Sequence, residues 1–477
     1  MKHLVLKSKA GAWKMLISFM AFVSFISCKS KKEDERPNII FLLADDLGYN
    51  DVGFSGQEQI QTPHADQLAR EGKIFTNCYA GAPVSGPSRS VLMTGQHTGH
   101  TTVRGNTTMK GGTAGKKGTQ TVYRANLLDS DITIGNIMHD AGYKTYLIGK
   151  WHLGGFDSTA TPLYHGFDEF TGWLINKPQT YSNTYWPQKR MKNNVMVDIP
   201  ENAGGKHGYY HTDICTDEAV AYITKNKDSE KPFMMMLCYS NPHAPLDAPD
   251  HAIFDDKDWP EDMKTYASMI YHLDKSVERI KQAVIDQGLA DNTIIFLCSD
   301  NGPRSNYSQR LTDVVDFFDS NGKLRGYKRD MYEGGIRTPM VAWSPGLVKA
   351  GTVSDFPWYF ADVMATFADI AHSTAELNTD GMSIAPAIFT DSDPDTTRYL
   401  YWEFFERGYK QAVRYGKWKF VKINGIPELY DLSIDEGEQN DIAEEHPEII
   451  QQIEEYLKTC RTDSPYWVVN PEDADRL

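Results

Sequence analysis

Asn38-Ile39-Ile40-Phe41-Leu42-Leu43-Ala44-Asp45-Asp46 is a continuous apolar run that ends on two acids. Three further runs share this layout: Lys144–Ile148 before Lys150 and His152, Pro232–Tyr239 before His243, and Thr293–Cys298 before Asp300 and Asn301. Apolar runs of this length are typical of strands buried on both faces of a parallel sheet. Amphipathic stretches such as Ser130–Ala141 and Met263–Gln287 lie between them. The alternation predicts a doubly wound, mostly parallel α/β sheet.

The polar residues that follow these runs predict a ligand site. In doubly wound sheets, ligands bind beyond the carboxyl ends of the strands. Two of these ends supply only oxygen donors, the kind that selects Ca²⁺ or Mg²⁺ over zinc: Asp45, Asp46, Asp300 and Asn301. An isolated Asp pair would more often cap a helix or form a turn. The second pair favours a cation site, because three neighbouring acids need a cation to relieve their repulsion.

From about His372 the pattern changes to short strands separated by Gly or Pro turns. These strands are Tyr399–Phe405, Gln411–Arg414, Trp418–Lys422 and Glu428–Asp431, and a final helix spans about Pro447–Thr459. The sequence therefore predicts an α/β domain over residues 37–371. A C-terminal α+β subdomain, a small antiparallel sheet with a helix, would follow over residues 372–477.

The N-terminus is typical of a secretory signal. Four lysines without an acid precede the apolar run Met15–Ile26, which is too short to span a bilayer. Ser27 before Cys28 resembles a bacterial lipobox, which predicts a signal peptide over residues 1–27 and a lipidated Cys28 at the start of a tether over residues 28–36. The alternative is simple cleavage near Ser27. A lipoprotein would lie in the bacterial cell envelope, in the periplasm or on the outer membrane, and would contact the membrane only through its anchor.

The overall charge narrows the class of partner. The formal net charge is −15, and removal of the four lysines with the signal would make it −19. Such a surface disfavours nucleic acid as a partner. Any anion site must therefore be a local cationic pocket. Six cysteines occur, and lipidation of one leaves an odd number, so the chain does not follow the pattern of a disulfide scaffold.

Ser85 lies where a helix is predicted to begin. In Ala82–Gly95, Pro87 suits a first helical turn and Gly95 a helix end. Free N–H groups and the helix dipole at such a start favour an anion. The alternative is that Ser85 is only an N-cap residue.

Ser85-Gly86-Pro87-Ser88-Arg89, followed by Leu92, Thr94 and Gly95, resembles the signature of the formylglycine-dependent (type I) sulfatases of the alkaline phosphatase superfamily. In that signature the first residue, Cys or Ser, is converted to formylglycine. Further matching blocks between Pro37 and Pro339 are Asp45-Asp46, Gly149–Gly154, His165–Asp168, Asn241–Pro245, Ser299–Gly302, Leu324–Lys328 and Glu333–Pro339. The resemblance implies an alkaline-phosphatase-like fold and a sulfuric ester hydrolase with one Ca²⁺ per chain.

The resemblance also implies a role for each site residue. The metal ligands would be Asp45, Asp46, Asp300, Asn301 and the aldehyde hydrate at Ser85. One hydroxyl of that hydrate would attack sulfur, with Asp300 as its base, and the other would expel sulfate. Arg89, Lys150 and Lys328 would neutralise the sulfate oxygens. His152 would orient the hydrate, and His243, with Lys328, would protonate the leaving sugar oxygen.

The predicted substrate is a sulfate ester on a sugar of a host or algal glycan, attacked in an exo manner. His100, Arg104, Trp402 and Glu403 are the predicted sugar contacts. Because the signature has Ser rather than Cys, the resemblance implies an anaerobic bacterial host with a radical-type maturation enzyme that acts on Ser85.

Three alternatives stay open. A phosphodiesterase or phosphonate hydrolase of the same superfamily would share the fold and the metal. A phosphatase using unmodified Ser85 would need two zinc ions and additional His ligands. A non-catalytic glycan-binding lipoprotein would result if Ser85 were never oxidised.

Overall fold

The computed structural model describes residues 34–108, 113–117, 120–155, 158–175, 185–305, 308–390, 392–394 and 398–469. The predicted signal peptide and the predicted lipidation site Cys28 lie outside these ranges. Within them, no helix is both long enough and apolar enough to cross a bilayer.

The described residues form nineteen strands and ten α-helices. The strands are β1 Asn38–Asp45, β2 Lys73–Phe75, β3 Cys78–Tyr79, β4 Thr113–Lys117, β5 Gln120–Arg124, β6 Lys144–Gly154, β7 Glu169–Ile175, β8 Lys189–Lys192, β9 Val195–Asp198, β10 Phe233–Pro242, β11 Thr293–Ser299, β12 Arg337–Thr338, β13 Met340–Trp343, β14 Thr352–Ser354, β15 Trp358–Tyr359, β16 Tyr399–Phe404, β17 Lys410–Tyr415, β18 Trp418–Ile423 and β19 Ile426–Asp431. The helices are α1 Pro63–Arg70, α2 Ser85–Thr94, α3 Ile134–Asp140, α4 His211–Lys225, α5 Glu261–Asp286, α6 Gln309–Phe317, α7 Glu333–Ile336, α8 Ala361–Ile370, α9 Ala385–Phe389 and α10 Pro447–Leu457.

A ten-stranded mixed sheet forms the centre of the molecule, in the order β14-β2-β13-β11-β1-β10-β6-β7-β8-β9. The four apolar runs are the adjacent strands β11, β1, β10 and β6, and they pair in parallel. Ala44 lies opposite Ser299 in this register. The residues after both strands therefore leave the sheet at the same edge, as predicted.

The central strands are buried on both faces because their apolar side chains alternate between two cores. Ile39, Phe41 and Leu43 pack in one core with residues of α2, α3 and α8. Ile40, Leu42 and Ala44 pack in the other with residues of α1, α4, α5 and α6. Full burial of such a side chain contributes about 1.5–3 kcal/mol. The prediction of a doubly wound sheet is confirmed.

The C-terminal strands form the predicted antiparallel sheet, in the order β16-β17-β18-β19. One face of this sheet packs with α10 through residues such as Tyr401 and Ile453. The other face, including Trp402 and Phe404, belongs to the core that also contains α2. The sheet is therefore docked against the α/β domain on the side of the helix that begins with Ser85.

Several element boundaries differ from the sequence prediction, and the largest differences are at β6 and α3. Strand β6 continues to Gly154, beyond the predicted end at Ile148. Helix α3 begins only at Ile134, because a capping box sets its start. In that box the Gly135 N–H donates to Thr133 Oγ1, and the Thr133 N–H donates to Asn136 Oδ1.

Candidate active site

Ser85 is the first residue of α2 and lies in the site formed by the strand ends. Its Oγ is 2.9 Å from Asp45 Oδ1 and 3.3 Å from Asn301 Oδ1. The next residue, Gly86, donates its N–H to Asn106 Oδ1 at 3.0 Å. A Cβ at Gly86 would lie 2.6 Å from that oxygen, so only glycine permits this contact without a shift. Residues far apart in the sequence thus converge around Ser85.

Three buried carboxylates and one amide lie together at this edge of the sheet. Asp46 adopts a left-handed conformation with φ of 66°. Its N–H donates to Asp300 Oδ1 at 3.3 Å, and its Oδ1 accepts from Asn301 Nδ2 at 2.8 Å. Asp45, Asp46 and Asp300 are each at most 2% exposed. Such a cluster is stable only if cations neutralise it.

Each of the three carboxylates has a basic partner. Lys150 Nζ lies 2.5 Å from Asp45 Oδ2, and Lys328 Nζ donates to Asp46 Oδ1. Arg89 donates to Asp300 Oδ2 through Nε at 2.9 Å and contacts it through Nη2 at 2.8 Å. The structure therefore brings the three predicted cations together in one pocket of an acidic chain.

Burial and charge act in opposite directions on these acids. Burial favours a raised pKa for Asp45, but the charges of Lys150 and Arg89 outweigh it and hold the pKa well below its ordinary value. At Asp300, burial and the neighbouring Asp45 raise the pKa to about 6 against the charge of Arg89. Asp45 and Asp300 thus differ in how readily they bind a proton.

The two predicted histidines are buried beside the carboxylates. His243 Nδ1 lies 2.5 Å from the Ala244 carbonyl, so Nδ1 donates, and Nε2 faces Asp46 Oδ2 at 3.6 Å. Burial lowers the pKa of His243 to about 4 and that of His152 well below its ordinary value. Both imidazoles are therefore neutral near pH 7. Tyr185 holds the loop that carries His243, because the Tyr185 hydroxyl donates to the His243 carbonyl oxygen at 2.6 Å.

The donor set fits a hard divalent cation. All its atoms are oxygens, supplied by Asp45, Asp46, Ser85, Asp300 and Asn301. Asp46 Oδ2 is buried and accepts no hydrogen bond from the described residues, as expected for an atom whose natural partner is a metal ion. Ligand atoms of Asp45, Asp46 and His243 also lie within 4.8 Å of one another, but a set dominated by carboxylates favours Ca²⁺ or Mg²⁺.

His100, a predicted sugar contact, does not lie at this site. Its Nδ1 is 2.9 Å from both carboxylate oxygens of Asp380. Asp380 donates its N–H to the carbonyl of Gly95, which ends α2. The ten residues of α2 span about 15 Å, so His100 is at the end of the helix opposite to Ser85.

The other three predicted sugar contacts are wrong, because they are buried structural residues. Arg104 is 2% exposed and donates to Glu403 Oε1 at 2.9 Å. Glu403 is fully buried and also accepts from Arg461 Nε at 2.8 Å. Trp402 is fully buried and donates its Nε1–H to the Ala80 carbonyl at 2.8 Å. Their polar groups are satisfied within the junction of the C-terminal sheet with α2 and its following loop.

Sequence reasoning assigned no role to two residues near the site. His211, the first residue of α4, is buried, and burial lowers the pKa of its imidazole to about 3 against the opposing charge of Asp45. Arg304 lies in the loop that follows Asn301 and lines a small cavity with Asp46. The sequence could have indicated Arg304, because this residue follows the end of β11 by only a few positions. His211 follows no apolar run, and only its place beside Tyr209 and Tyr210, in an aromatic stretch expected near the rim of the site, indicated it.

Comparison with known proteins gives a consistent result. The family model described as Sulfatase matches residues 37–373, and the one described as N-sulphoglucosamine sulphohydrolase, C-terminal, matches residues 325–463. The N-acetylgalactosamine-6-O-sulfatase of Bacteroides thetaiotaomicron is 27% identical, over 90% of this chain and 94% of that protein. The N-acetylgalactosamine-6-sulfatase of Homo sapiens is 29% identical, over 77% of this chain and 68% of that protein.

A solved structure is similar over nearly the whole chain. The crystal structure of Ps i-CgsB in complex with k-i-k-neocarrahexaose superposes with a TM-score of 0.77 at 28% sequence identity. The match covers 92% of this chain and 96% of that chain.

Proposed function

This chain belongs to the sulfatase family, and we propose that it hydrolyses a sulfate ester on a sugar, using a formylglycine made from Ser85 and a bound Ca²⁺. The observation that carries this proposal is the position of Ser85 Oγ, 2.9 Å from Asp45 at the start of a helix and beside Asn301. An oxidised Ser85 at this position would be next to the metal ligands and to the helix N–H groups that favour an anion.

The substrate class is supported by the names of the relatives. Two of them are N-acetylgalactosamine 6-sulfatases, and a structural neighbour binds k-i-k-neocarrahexaose. We therefore take a sulfated galactose or N-acetylgalactosamine residue at a glycan end, from host or alga, as the proposed substrate. N-acetylgalactosamine 6-sulfate is the first compound to test.

When bound, Ca²⁺ would neutralise the carboxylates and polarise the sulfate, and the formylglycine hydrate would supply the attacking oxygen. Residues of the chain itself transfer the proton, stabilise the developing charge and orient the hydrate. Asp300, a carboxylate of the same cluster as Asp45 and Asp46, accepts the proton of the attacking hydroxyl as a general base. Lys150 and Lys328 contact the sulfate oxygens and stabilise charge as the S–O bond breaks. His152 orients the hydrate.

Lys328 and His243 together serve the leaving sugar oxygen. Burial lowers the pKa of Lys328 below its ordinary value, which makes its ammonium a better proton donor than an exposed lysine. His243 is neutral, with its Nδ1 proton held by the Ala244 carbonyl. We therefore place the transferred proton on Lys328, with His243 Nε2 positioning the leaving group.

Mass spectrometry and a paired substrate assay test this function. After co-expression with a radical-type maturation enzyme, the peptide containing Ser85 should show the loss of two hydrogen atoms. The matured protein should hydrolyse N-acetylgalactosamine 6-sulfate or another sulfated sugar of a panel, and Ser85→Ala should not. Faster hydrolysis of the matched phosphate ester would favour the phosphodiesterase or phosphonate hydrolase alternative. A protein whose Ser85 stays unoxidised beside the maturation enzyme, and which binds the sulfated sugars without hydrolysing them, would favour a glycan-binding lipoprotein.

We also propose that the mature chain is anchored in the bacterial cell envelope by lipidation of Cys28. The lipobox-like Ser27-Cys28 pair after an apolar run supports this. The native chain should partition into detergent, whereas Cys28→Ser should partition into the aqueous phase. Equal partitioning of both would mean that residues 1–27 are cleaved without lipidation.

A further inference from the structure

Two arginines near the site lack the partners that arginines elsewhere in the fold have. Among described arginines that are at least partly buried, only Arg124 and Arg304 form no ion pair or hydrogen bond with protein. A guanidinium is always charged and offers five donors. In a chain of net charge −15, a partly buried arginine without an acidic partner therefore indicates a position that can receive an anion from a bound molecule.

Arg304 is the better defined of the two. It follows the proposed ligand Asn301 by three residues and lines a small cavity together with Asp46, Ala244 and Leu246. Its Nε is buried and has no hydrogen-bond acceptor. The Nε atoms of Arg190 and Arg398 also lack an acceptor, but those guanidiniums pair with carboxylates through their other nitrogens. The guanidinium of Arg304, unlike theirs, is left to pair with a bound molecule.

No acid of the site is available to Arg304. Asp46 lines the same cavity, but it lies beyond ion-pair distance of Arg304 and accepts from Lys328 and Asn301. The scissile sulfate does not need Arg304 either, because Lys150, Lys328 and Arg89 already converge on its proposed position. The charge of Arg304 is thus in excess of what one sulfate requires.

We propose that Arg304 binds a second anionic group of the substrate, a sulfate ester or a carboxylate, next to the scissile sulfate and on the side of His243. This inference rests on the proposed function, since it assumes a sulfated sugar in the site. Arg304 then determines specificity without taking part in bond breaking. The preferred substrate is consequently a polyanionic glycan, and a guanidinium suits such a group because it binds oxyanions through two parallel hydrogen bonds.

Binding to a variant that cannot turn over tests this inference directly. In a Ser85→Ala background, calorimetry would compare N-acetylgalactosamine 6-sulfate, its 4,6-disulfate, and a 6-sulfated disaccharide that contains a uronate. Adding Arg304→Gln should weaken binding of at least one dianionic ligand by about 10- to 100-fold. Binding of the monosulfate should change by less than about two-fold. The disulfate and the uronate distinguish the two sources of the second charge.

Two further variants separate recognition from general effects. Arg304→Lys keeps the charge and should retain part of the preference for the dianionic ligand. Arg70→Gln removes the same charge from an exposed position at the end of α1 and should leave the preference unchanged. Thermal unfolding of each variant would show that the fold is intact.

The results overturn the inference if Arg304→Gln weakens all three ligands equally, or weakens none of them. If the proposed function itself were wrong, the result would differ from both of these outcomes. The matured wild-type enzyme would then hydrolyse no member of the sulfated panel. An enzyme that hydrolyses sulfated sugars but shows the same preference with and without Arg304 would refute only the second anionic contact.

Discussion

Lys150 illustrates how closely individual charges are matched at this site. It is buried and lies 2.5 Å from Asp45 Oδ2, and it is proposed to contact the sulfate. Lys150→Met should lower kcat/KM by about 10²- to 10³-fold, because a fixed cation is lost where negative charge develops. It should also destabilise the metal-free protein by about 3–5 kcal/mol, because Asp45 is left buried without its partner.

Steady-state kinetics and urea unfolding would measure the two effects of Lys150→Met. Lys225→Met is the matched control, since Lys225 forms an exposed ion pair with Glu169, and such pairs contribute about 0–1 kcal/mol. If Lys150→Met were as active as this control, Lys150 would have no role in the reaction.

At the residue scale, the sequence predicted the positions of those site residues that follow a buried strand. Each apolar run is followed within four positions by a polar residue of the site, namely Asp45, Lys150, His243 or Asp300. Parallel strands bring such ends to one edge of the sheet. Lys328 follows no strand, so only the resemblance indicated it. Trp402 and Glu403 were misassigned because the sequence does not show that both faces of the C-terminal sheet are covered, one by the core that contains α2 and the other by α10.

At the scale of elements, Gly149 holds β6 against β10 just before Lys150. Its φ is 95°, and an added Cβ would lie 2.0 Å from the Cys238 carbonyl oxygen on β10. Gly149→Ala should therefore push the two strands apart and displace Lys150 and His152. We expect a loss of at least about 2 kcal/mol in the free energy of unfolding, together with most of the activity.

Gly288→Ala is the control that separates the effect of the close contact at Gly149 from the effect of its positive φ. Gly288 also has a positive φ, of 70°, but an added Cβ would meet nothing within 4 Å. Its replacement should cost only about 1 kcal/mol of backbone strain and leave activity intact. Urea unfolding of both variants measures the difference, and equal losses would show that the close approach of β10 is unimportant.

Prediction of the elements was limited by their length. Long apolar runs such as β1 and β11 were predicted almost residue by residue, because burial on both faces requires continuous hydrophobicity. The sheet of β12, β3 and β15 contains two-residue strands, which have no periodic pattern to recognise. Such short strands form only because the surrounding fold brings their backbones together.

For the whole molecule, the cluster of buried carboxylates predicts stabilisation by Ca²⁺. A cation that binds only the folded state raises the free energy of unfolding, by about 2.7 kcal/mol when its concentration is 100 times Kd. Calcium should therefore raise the Tm of the chelator-treated protein, and Asp45→Asn should weaken this response. The same Tm with Ca²⁺ and with chelator would exclude a calcium site among these acids.

The junction between the α/β domain and the C-terminal sheet contains a second buried charge cluster. Lys419 Nζ lies 2.8 Å from Glu333 Oε1 and 3.1 Å from Glu438 Oε1. Glu438 also accepts the Glu333 N–H at 2.7 Å. One lysine is thus shared by two carboxylates. Burial raises the pKa of Glu438 to about 7, with the charge of Glu333 acting in the same direction against Lys419.

This cluster makes the stability of the whole molecule depend on pH. The pKa of Glu438 is higher in the folded chain than the ordinary glutamate value of 4.5, so the folded state holds this proton more tightly than the unfolded state. The stabilisation that this proton gives to the folded state is complete below the ordinary pKa of glutamate and is lost as the pH rises through about 7.

Glu438→Gln cannot ionise and still offers an acceptor to the Glu333 N–H. Relative to wild type, it should gain up to about 3 kcal/mol in the free energy of unfolding between about pH 5 and about pH 8. Urea unfolding across this range measures the gain, with Glu444→Gln, an exposed glutamate, as the control that should follow wild type. If Glu438→Gln and wild type lost stability in parallel, the carboxyl would already be ionised in the folded protein and Lys419 would neutralise both of its partners.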